Sequence, residues 1–253
     1  MKPQEGIQIN KYISSSGYCS RREAERYIEQ GRVTINNEIA LLTTRVNPGD
    51  VVAVDSEKIK VARKQSLYIA FNKPVGITST TDPSDRSNII SFINHPKRIF
   101  PIGRLDKDSE GLILLTNDGD IVNKILRAGN EHEKEYIVTV DKPITPEFAK
   151  RMAGGLPILG TKTKPCVVKI LGTKTFKIIL TQGLNRQIRR MCEFLGYAVI
   201  TLKRTRIMNI SLGNLPIGKW RYLSVPEAEE LQRSLTGSVK TEEASFKKAR
   251  RHK

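Results

Sequence analysis

Cysteine and histidine are scarce in this sequence, and their scarcity excludes several kinds of catalytic site. The chain has 3 cysteines among 253 residues, and no two of them form a Cys-x-x-Cys motif. The 3 histidines are also far apart. These spacings do not match those of zinc ligands, and widely separated cysteines indicate isolated, reduced thiols. The sequence therefore predicts neither a metal site nor a histidine-based catalytic triad.

Long apolar segments are missing as well. No apolar run approaches the roughly 20 residues that a helix needs to span a bilayer. The opening segment MKPQEGIQIN lacks the apolar core of a signal peptide. We therefore expect a cytoplasmic protein with no membrane partner.

Acidic residues are outnumbered by basic ones, and this imbalance points to a polyanionic partner. Lys and Arg total 43 against 26 Asp and Glu, which gives a formal net charge of +17. Nucleic acid is the first partner that such a charge favours, and an anionic membrane surface is the second. The excess is concentrated in residues 63–237, which carry 28 basic and 16 acidic residues, whereas residues 1–62 carry 9 and 8.

The order of helix and strand signals predicts three parts, residues 1–62, 63–237 and 238–253. In the first part a short helix ends at Gly17, and Ser20 with Glu23 forms the capping box of a second helix. Short strand signals separated by turns follow, so we expect a helix pair with a small hairpin sheet. The last part has little apolar content and many basic residues, which predicts a disordered basic tail.

Strand signals outnumber helix signals in the second part. The helices are expected near residues 118–127, 146–153, 185–195 and 226–235. The strands do not alternate strictly with these helices, which argues against a doubly wound parallel sheet. The expected fold class is therefore α+β, with a mixed, mainly antiparallel sheet flanked by helices.

The segment LTQGLNRQIRRMCEFLG combines an apolar helical stripe with an arginine-rich face. The stripe consists of Ile188, Met191, Cys192 and Leu195. The arginines near the helix start are Arg186, Arg189 and Arg190. A solvated basic face is the ordinary interpretation of such a run. Its position at a helix start, after a glycine-bearing turn, favours binding of phosphate or carboxylate instead.

The segment FPIGRLDKDSEGLILLTNDGD places several acids in a basic chain, and Asp106 differs from the others. It has Arg104 two residues before it and precedes the apolar strand signal GLILL. A carboxylate at the edge of a buried strand needs a partner, because unpaired burial is costly. An arginine such as Arg189 would keep it ionised and able to attack an electrophilic carbon. A purely structural Arg–Asp pair explains these residues equally well.

The chain resembles bacterial ribosomal RNA pseudouridine synthases that carry an N-terminal S4 RNA-binding domain. PIGRLDKDSEGLILLTNDGD resembles their catalytic motif, and FNKPVGITST, HEKEYIVTV, NRQIRRMCEFLGY and RTRIMNISLGNLPIGKWRYL resemble further core motifs. INKYISSSGYCSRREAERYIEQGRVTINNE resembles the S4 domain. The segment LNRQIRRM brings the resemblance nearest to the type-F enzymes, which act on large-subunit (23S) rRNA.

The resemblance implies conversion of a specific uridine in 23S rRNA to pseudouridine, with no cofactor and no metal. The implied reaction breaks the N1–C1′ bond, turns the base and forms a C5–C1′ bond. Asp106 is implied as the nucleophile, Tyr136 as the residue that stacks on the uracil, and Arg189 as the partner of Asp106. On pattern alone, Tyr136 alternates with Val138 and Val140, and an inward-facing strand residue is the favoured interpretation.

The resemblance also assigns a set of residues to RNA binding. In the second part these are Arg104, Leu105, Lys107, Arg186, Gln187 and Ile188, of which Arg104 is expected to help extrude the target uridine. In the S4-like part they are Lys11, Arg21, Arg22, Arg26 and Arg32. We expect a monomer bound to 23S ribosomal RNA, and a tRNA stem-loop of similar shape is a second candidate substrate.

Two other functions fit parts of the sequence. The S4-like part and the basic tail would suit a non-catalytic ribosome-binding or assembly protein. The triplet Asp106-Lys107-Asp108 superficially forms an Asp-x-Asp pair for Mg²⁺, as in a phosphoryl-transfer enzyme. Against this second function, Arg104 and Lys107 would repel a cation, and no phosphate-binding glycine loop precedes the triplet.

Overall fold

The chain forms two compact units in a computed structural model that describes residues 6–59, 66–126 and 131–236. The units are Met1–Ser66 and Leu67–Lys253. The predicted basic tail, residues 238–253, lies outside the described residues.

The first unit contains a helix pair and two small antiparallel sheets. The helices are α1 (Ile9–Ser16) and α2 (Arg21–Glu29), and the strands are β1 (Ile7–Gln8), β2 (Val33–Ile35), β3 (Glu38–Ile39), β4 (Arg45–Val46), β5 (Val52–Val54) and β6 (Glu57–Ile59). One sheet has the order β3-β2-β5-β6, and the other is the pair β1-β4. Each helix buries one apolar face in a core shared with the strands, so the predicted helix pair with a hairpin sheet is confirmed.

Local signals in the sequence account for the start of α2. The Ser20 hydroxyl accepts a hydrogen bond from the Glu23 backbone N–H at 3.1 Å, and the Glu23 carboxylate accepts one from the Ser20 N–H at 2.9 Å. This reciprocal pair satisfies N–H groups that the start of a helix leaves without intrahelical partners. The predicted capping box is therefore confirmed.

A nine-stranded sheet forms the centre of the second unit. The strands of this unit are β7 (Tyr68–Lys73), β8 (Phe100–Ile102), β9 (Glu110–Thr116), β10 (Lys134–Val140), β11 (Pro157–Ile158), β12 (Thr161–Lys162), β13 (Val167–Gly172), β14 (Thr175–Leu180), β15 (Val199–Ile207), β16 (Ile210–Ser211) and β17 (Trp220–Tyr222). Along the sheet, the strand order is β13-β14-β10-β15-β9-β7-β17. In addition, β8 pairs with β9 and β16 pairs with β15, while β11 and β12 form a separate hairpin. Only β9 and β15 pair in parallel among the described strands. The predicted mixed, mainly antiparallel sheet is thus confirmed.

The helices of the second unit flank this sheet. They are α3 (Ile89–Ile93), α4 (Gly119–Leu126), α5 (Pro146–Ala153), α6 (Gln187–Phe194) and α7 (Val225–Ser234). The last four correspond to the predicted helices. Helix α3 was not predicted, because five residues are too few to show a helical period; Asn88 caps it by accepting a hydrogen bond from the Ser91 N–H at 2.7 Å.

Two apolar clusters meet beside the pair β9-β15. Helices α5 and α6 pack with β10, β14 and β15 in one cluster. Helices α4 and α7 pack with β7 and β9 in the other. Because β15 contributes to both clusters, its inward-facing residues lie at the junction between them.

Gly111 allows β9 and β15 to approach each other. The parallel pairing matches Gly111 with Arg204. A Cβ added at Gly111 would lie 2.3 Å from the Arg204 backbone oxygen, and the φ of Gly111 is +107°. A side chain is therefore excluded both by the contact and by the backbone conformation, and glycine is required at this position.

Replacing Gly111 by alanine should destabilise the second unit, because the strands must separate and a strained φ must be tolerated. We expect the free energy of unfolding to fall by at least about 2 kcal/mol. Denaturant unfolding monitored by the fluorescence of Trp220, the single tryptophan of the chain, would measure it.

Gly172→Ala is the matched control, because a Cβ at Gly172 meets no atom within 4 Å. It should change the free energy of unfolding by no more than about 0.5 kcal/mol. A Gly111→Ala variant as stable as the wild type would contradict the close approach of β9 and β15.

Candidate active site

A cleft of about 430 Å³ opens at the junction of the two apolar clusters. Its walls come from residues 102–106, from the loop and helix start at 182–189, and from side chains of β10, β15 and α4. The three residues predicted to be catalytic, Asp106, Tyr136 and Arg189, all line it. Segments far apart in sequence therefore meet in one concave site, as ligand sites usually require.

Asp106 reaches the cleft from the irregular segment between β8 and β9. Its backbone oxygen accepts a hydrogen bond from the Ser109 N–H at 3.0 Å, which closes a turn before β9. The Asp106 side chain is 35% exposed, and its Oδ2 lies 3.7 Å from Nη1 of Arg186. This separation is longer than a hydrogen bond, so the carboxylate faces a cation and keeps its oxygens available to a ligand.

Tyr136 lines the cleft from the middle of the sheet. It lies on β10 opposite Ile178 of β14 and Arg204 of β15. Burial alternates along β10, and Tyr136 shares its inward face with Lys134 and Val138. The predicted inward orientation of Tyr136 is correct, and this same orientation gives its ring one side on the cleft.

The expected ion pair between Arg189 and Asp106 is wrong for this structure. Nε of Arg189 lies 3.4 Å from Oδ2 of Asp108, and Nη2 donates hydrogen bonds to the Asp108 backbone oxygen at 2.9 Å and to the Ser109 hydroxyl at 3.1 Å. Arg186 is the arginine that faces Asp106. The difference arises because the turn after Asp106 places the next acid, Asp108, closer to α6.

Asp108 joins the two arginines at the start of α6. It accepts hydrogen bonds from Arg186 at 2.8 and 3.2 Å. These bonds, with the nearby charge of Arg189, lower the pKa of the Asp108 carboxyl below its usual value, although burial opposes them. From the sequence, Asp108 was considered as part of a superficial Asp-x-Asp pair for Mg²⁺. Its position two residues after Asp106 was the available signal for a second acid at the site.

The residues predicted to bind RNA in the second unit fall into two groups. Arg104 and Arg186 are exposed at the cleft, whereas Lys107 is exposed but is not among the cleft-lining residues. Leu105, Gln187 and Ile188 line the cleft from buried positions. The Gln187 carboxamide oxygen already accepts a hydrogen bond from the Leu184 N–H at 3.0 Å.

Two cations in the cleft were not singled out from the sequence. Lys134 and Arg204 line it and are only 8% and 4% exposed. Burial, together with the charge of Arg204, lowers the pKa of Lys134 to about 8. Strand alternation was the missed signal, because Lys134 precedes Tyr136 by two residues and Arg204 follows the apolar Leu202 by two.

In the first unit, the predicted RNA-binding residues lie mainly on the helices. Lys11 is on α1, and Arg21, Arg22 and Arg26 are exposed on α2. Arg32 follows α2 and pairs with Asp55, with 2.8 Å between Nε and Oδ1. Its guanidinium also lies 4.2 Å from the centre of the Tyr27 ring.

The described part of the chain lacks both a cluster of metal ligands and a reactive thiol. No cluster of three or more His, Cys, Asp or Glu side chains able to hold a metal ion occurs there. The Asp-x-Asp pair faces Arg186 instead, which occupies the side that a cation would need. The cysteines are free, and burial raises the pKa of the Cys192 thiol to about 12.

No helix within residues 6–59, 66–126 and 131–236 is long and apolar enough for a membrane span.

Known proteins share both units. Residues 67–194 match the model of the RNA pseudouridylate synthase family, and residues 9–52 match the S4 domain. The chain is 59% identical to the dual-specificity RNA pseudouridine synthase RluF of Escherichia coli K12 over 239 residues, which are 94% of this chain and 82% of that protein. This chain belongs to the RNA pseudouridine synthase family.

Further similarities agree with membership of the pseudouridine synthases. The ribosomal large subunit pseudouridine synthase B of Bacillus subtilis is 35% identical over 235 residues, covering 89% of this chain and 95% of that protein. A crystal structure of a pseudouridylate synthase superimposes with a TM-score of 0.66 and 29% identity, covering 89% of this chain and all of that one.

A pseudouridine synthase isomerises uridine within RNA, and this chemistry sets the demands on the cleft. The N1–C1′ bond breaks, the base turns, and a C5–C1′ bond forms. Atoms and electrons balance within the nucleoside, so neither a redox partner nor water is consumed. The site must hold a turned-out nucleoside and supply a group that reacts at the ribose.

Replacing Asp108 by asparagine should slow the synthase without weakening RNA binding. Arg186 and Arg189 would lose the charge that holds them, while no phosphate contact would be removed. We expect the single-turnover rate of pseudouridine formation to fall about 10-fold, with an unchanged or lower Kd for RNA in filter binding.

Asp82→Asn is the matched control, because Asp82 is an exposed loop acid outside the cleft. It should leave both the rate and the Kd unchanged. An Asp108→Asn variant that works at the wild-type rate would contradict an organising role for Asp108.

Proposed function

We propose that this pseudouridine synthase modifies a uridine in 23S rRNA and that Asp106 is its nucleophile. The observation that carries the assignment is the single cleft that brings together Asp106, Tyr136 and the arginine-rich start of α6. The names of relatives support the substrate, since one of them is a ribosomal large subunit enzyme.

Asp106 performs the reaction at the ribose. The target base first leaves its stack, at a cost of a few kcal/mol that contacts in the cleft offset. The Asp106 carboxylate then adds to C1′, or removes the proton at C2′, as the N1–C1′ bond breaks. Tyr136 holds the freed uracil by stacking while the base turns. C5 then bonds to C1′ as the Asp106–C1′ bond breaks or the C2′ proton returns, and the C5 proton is lost while N1 gains one.

The two arginines of α6 have different roles in this proposal. Arg186 is the guanidinium that faces Asp106, with 3.7 Å between its Nη1 and the Asp106 Oδ2, so it places a positive charge beside the carboxylate. Arg189 is a positioning residue, since its hydrogen bonds to Asp108 and Ser109 fix the turn that carries Asp106. Gln187 and Ile188 form the wall behind them and shape the pocket for the base.

RNA is held by surfaces on both units. Arg104, Leu105 and Lys107 lie in or beside the Asp106 segment, where Arg104 is exposed and able to enter the space left by the extruded uridine. Residues 1–62 serve as the S4 RNA-binding domain, through Lys11 and the exposed arginines of α2. Residues 63–237 serve as the catalytic domain, and residues 238–253 as a basic arm.

The enzyme acts as a cytoplasmic monomer, and a tRNA stem-loop is its second substrate. The word dual-specificity in the name of the Escherichia coli relative supports two RNA substrates. A non-catalytic assembly role is disfavoured, because such a protein needs no cleft that joins an exposed carboxylate, a tyrosine and arginines.

Purified wild-type protein should form pseudouridine in 23S rRNA fragments without added metal or cofactor. Asp106→Asn should lower the rate by at least about 10³-fold, because the amide is not a nucleophile. RNA binding should survive, since no cationic contact is lost. Carbodiimide-block reverse transcription or nucleoside mass spectrometry would measure conversion.

Asp118→Asn provides the control, because Asp118 lies at the start of α4 and does not line the cleft. It should convert uridine at the wild-type rate. Equal conversion by the wild type and Asp106→Asn would overturn the assignment of the nucleophile.

Deleting residues 1–62 should weaken binding to a long 23S rRNA fragment more than it slows turnover of a short, saturating stem-loop. The exposed arginines of α2 would be lost, whereas the cleft would stay complete. Filter binding and single-turnover kinetics would separate the two effects. Unchanged affinity for the long fragment would contradict the role given to the first unit.

A further inference from the structure

Arg204 is a buried cation with an unused hydrogen-bond donor at the cleft. Its Nε donates to the Leu112 backbone oxygen at 2.6 Å, and its Nη1 lies 3.5 Å from the Arg104 backbone oxygen. Its Nη2 is buried and has no hydrogen-bond partner. Buried polar atoms are normally paired, so an orphaned donor that lines a cleft indicates a place for a ligand acceptor.

Lys134 is a second buried cation in the same cleft. Its Nζ donates to the His132 backbone oxygen at 2.9 Å, which leaves further N–H donors on the ammonium group. Within the described residues, no carboxylate lies within 4 Å of either Lys134 or Arg204. The two positive charges disfavour each other, and an electron-rich group between them would relieve this.

Both cations lie beside the tyrosine on which we place the uracil. The guanidinium carbon of Arg204 is 5.9 Å from the centre of the Tyr136 ring. Lys134 shares the buried face of β10 with Tyr136, two residues earlier. A base held at the Tyr136 ring would therefore lie close to Arg204 and in the same cleft as Lys134.

We propose that Arg204 and Lys134 bind the carbonyl oxygens of the target uracil and stabilise the uracil anion formed when the N1–C1′ bond breaks. The inference rests on the proposed function of Asp106. The electron pair of the broken bond leaves with the uracil and spreads over N1 and the two carbonyl oxygens. When C5 attacks C1′, an electron pair of the anion forms the new bond, while the Asp106–C1′ bond breaks or Asp106 returns the proton to C2′. The base then loses its C5 proton and gains one at N1.

Fixed cations are well suited to this step. They are already desolvated and aimed at the position where charge develops, so no reorganisation is needed as the bond breaks. The negative charge exists only after cleavage, and the cations therefore favour the transition state over bound uridine.

A leaving-group comparison tests the inference. Fluorine at C5 withdraws electrons and stabilises the uracil anion, so 5-fluorouridine depends less on the cations than uridine does. Lys134→Met should slow single-turnover consumption of uridine in an RNA stem-loop by about 10²-fold. It should slow consumption of 5-fluorouridine in the same RNA by less than about 10-fold. Lys134→Arg, which keeps the charge, should retain most of the uridine rate.

Lys203→Met is the matched control. Lys203 is on β15 next to Arg204, outside the cleft lining, and its Nζ lies 3.9 Å from Glu110. Its replacement should leave both rates unchanged. If Lys134→Met does not fold, Arg204→Lys takes its place, because it keeps a charge but loses the fork of donors; the same unequal slowing of the two substrates is expected.

Equal slowing of uridine and 5-fluorouridine, or no slowing of either, would overturn the inference. Asp106→Asn is measured beside these variants to separate this failure from a wider one. If Asp106→Asn is inactive while the cation variant slows both substrates equally, only the anion-stabilising role falls. If Asp106→Asn converts uridine at the wild-type rate, the proposed function falls with it.

Discussion

The close approach of β9 and β15 at Gly111 is the constraint on which the rest of the site depends. Because no side chain separates the two strands, β9 lies directly against β15, and the Arg204 side chain reaches the Arg104 backbone oxygen in the segment before β9 at 3.5 Å. That segment carries Asp106, and β15 carries Arg204, which in turn lies opposite Tyr136 on β10. The absence of a Cβ at Gly111 thus sets how far the Asp106 carboxylate lies from β15 and β10, which form the opposite wall of the cleft.

Charge within the cleft is separated into two regions with different chemistry. At the start of α6, arginines and acids neutralise one another, and Asp108 is the centre of that network. Deeper in the sheet, Lys134 and Arg204 have no acidic partner among the described residues. The first region lowers the pKa of the Asp108 carboxyl and holds the turn that carries Asp106 in position. The second region stays electropositive, which is an environment for a base that becomes negative.

Local patterns predicted the fold well, but pairings between distant segments were harder to predict. The capping box of α2, the apolar stripe of α6 and the alternation of β10 each depend on residues close in sequence, and each was identified. The partner of Arg189 depends on how a four-residue turn orients Asp106 and Asp108 toward α6. Neither the helical nor the strand period of the sequence contains that information. Lys134 was overlooked because lysine is rarely buried, although alternation placed it on the face of Tyr136.

The pairing of Arg32 with Asp55 bears on how the protein responds to ionic strength. A guanidinium that already holds a carboxylate and stacks on Tyr27 displaces few condensed cations from an RNA backbone. The exposed arginines of α2 would therefore dominate the counterion release of the first unit. The slope of log affinity against log salt concentration would therefore reflect mainly the arginines of α2. Arg32 would contribute little to that slope.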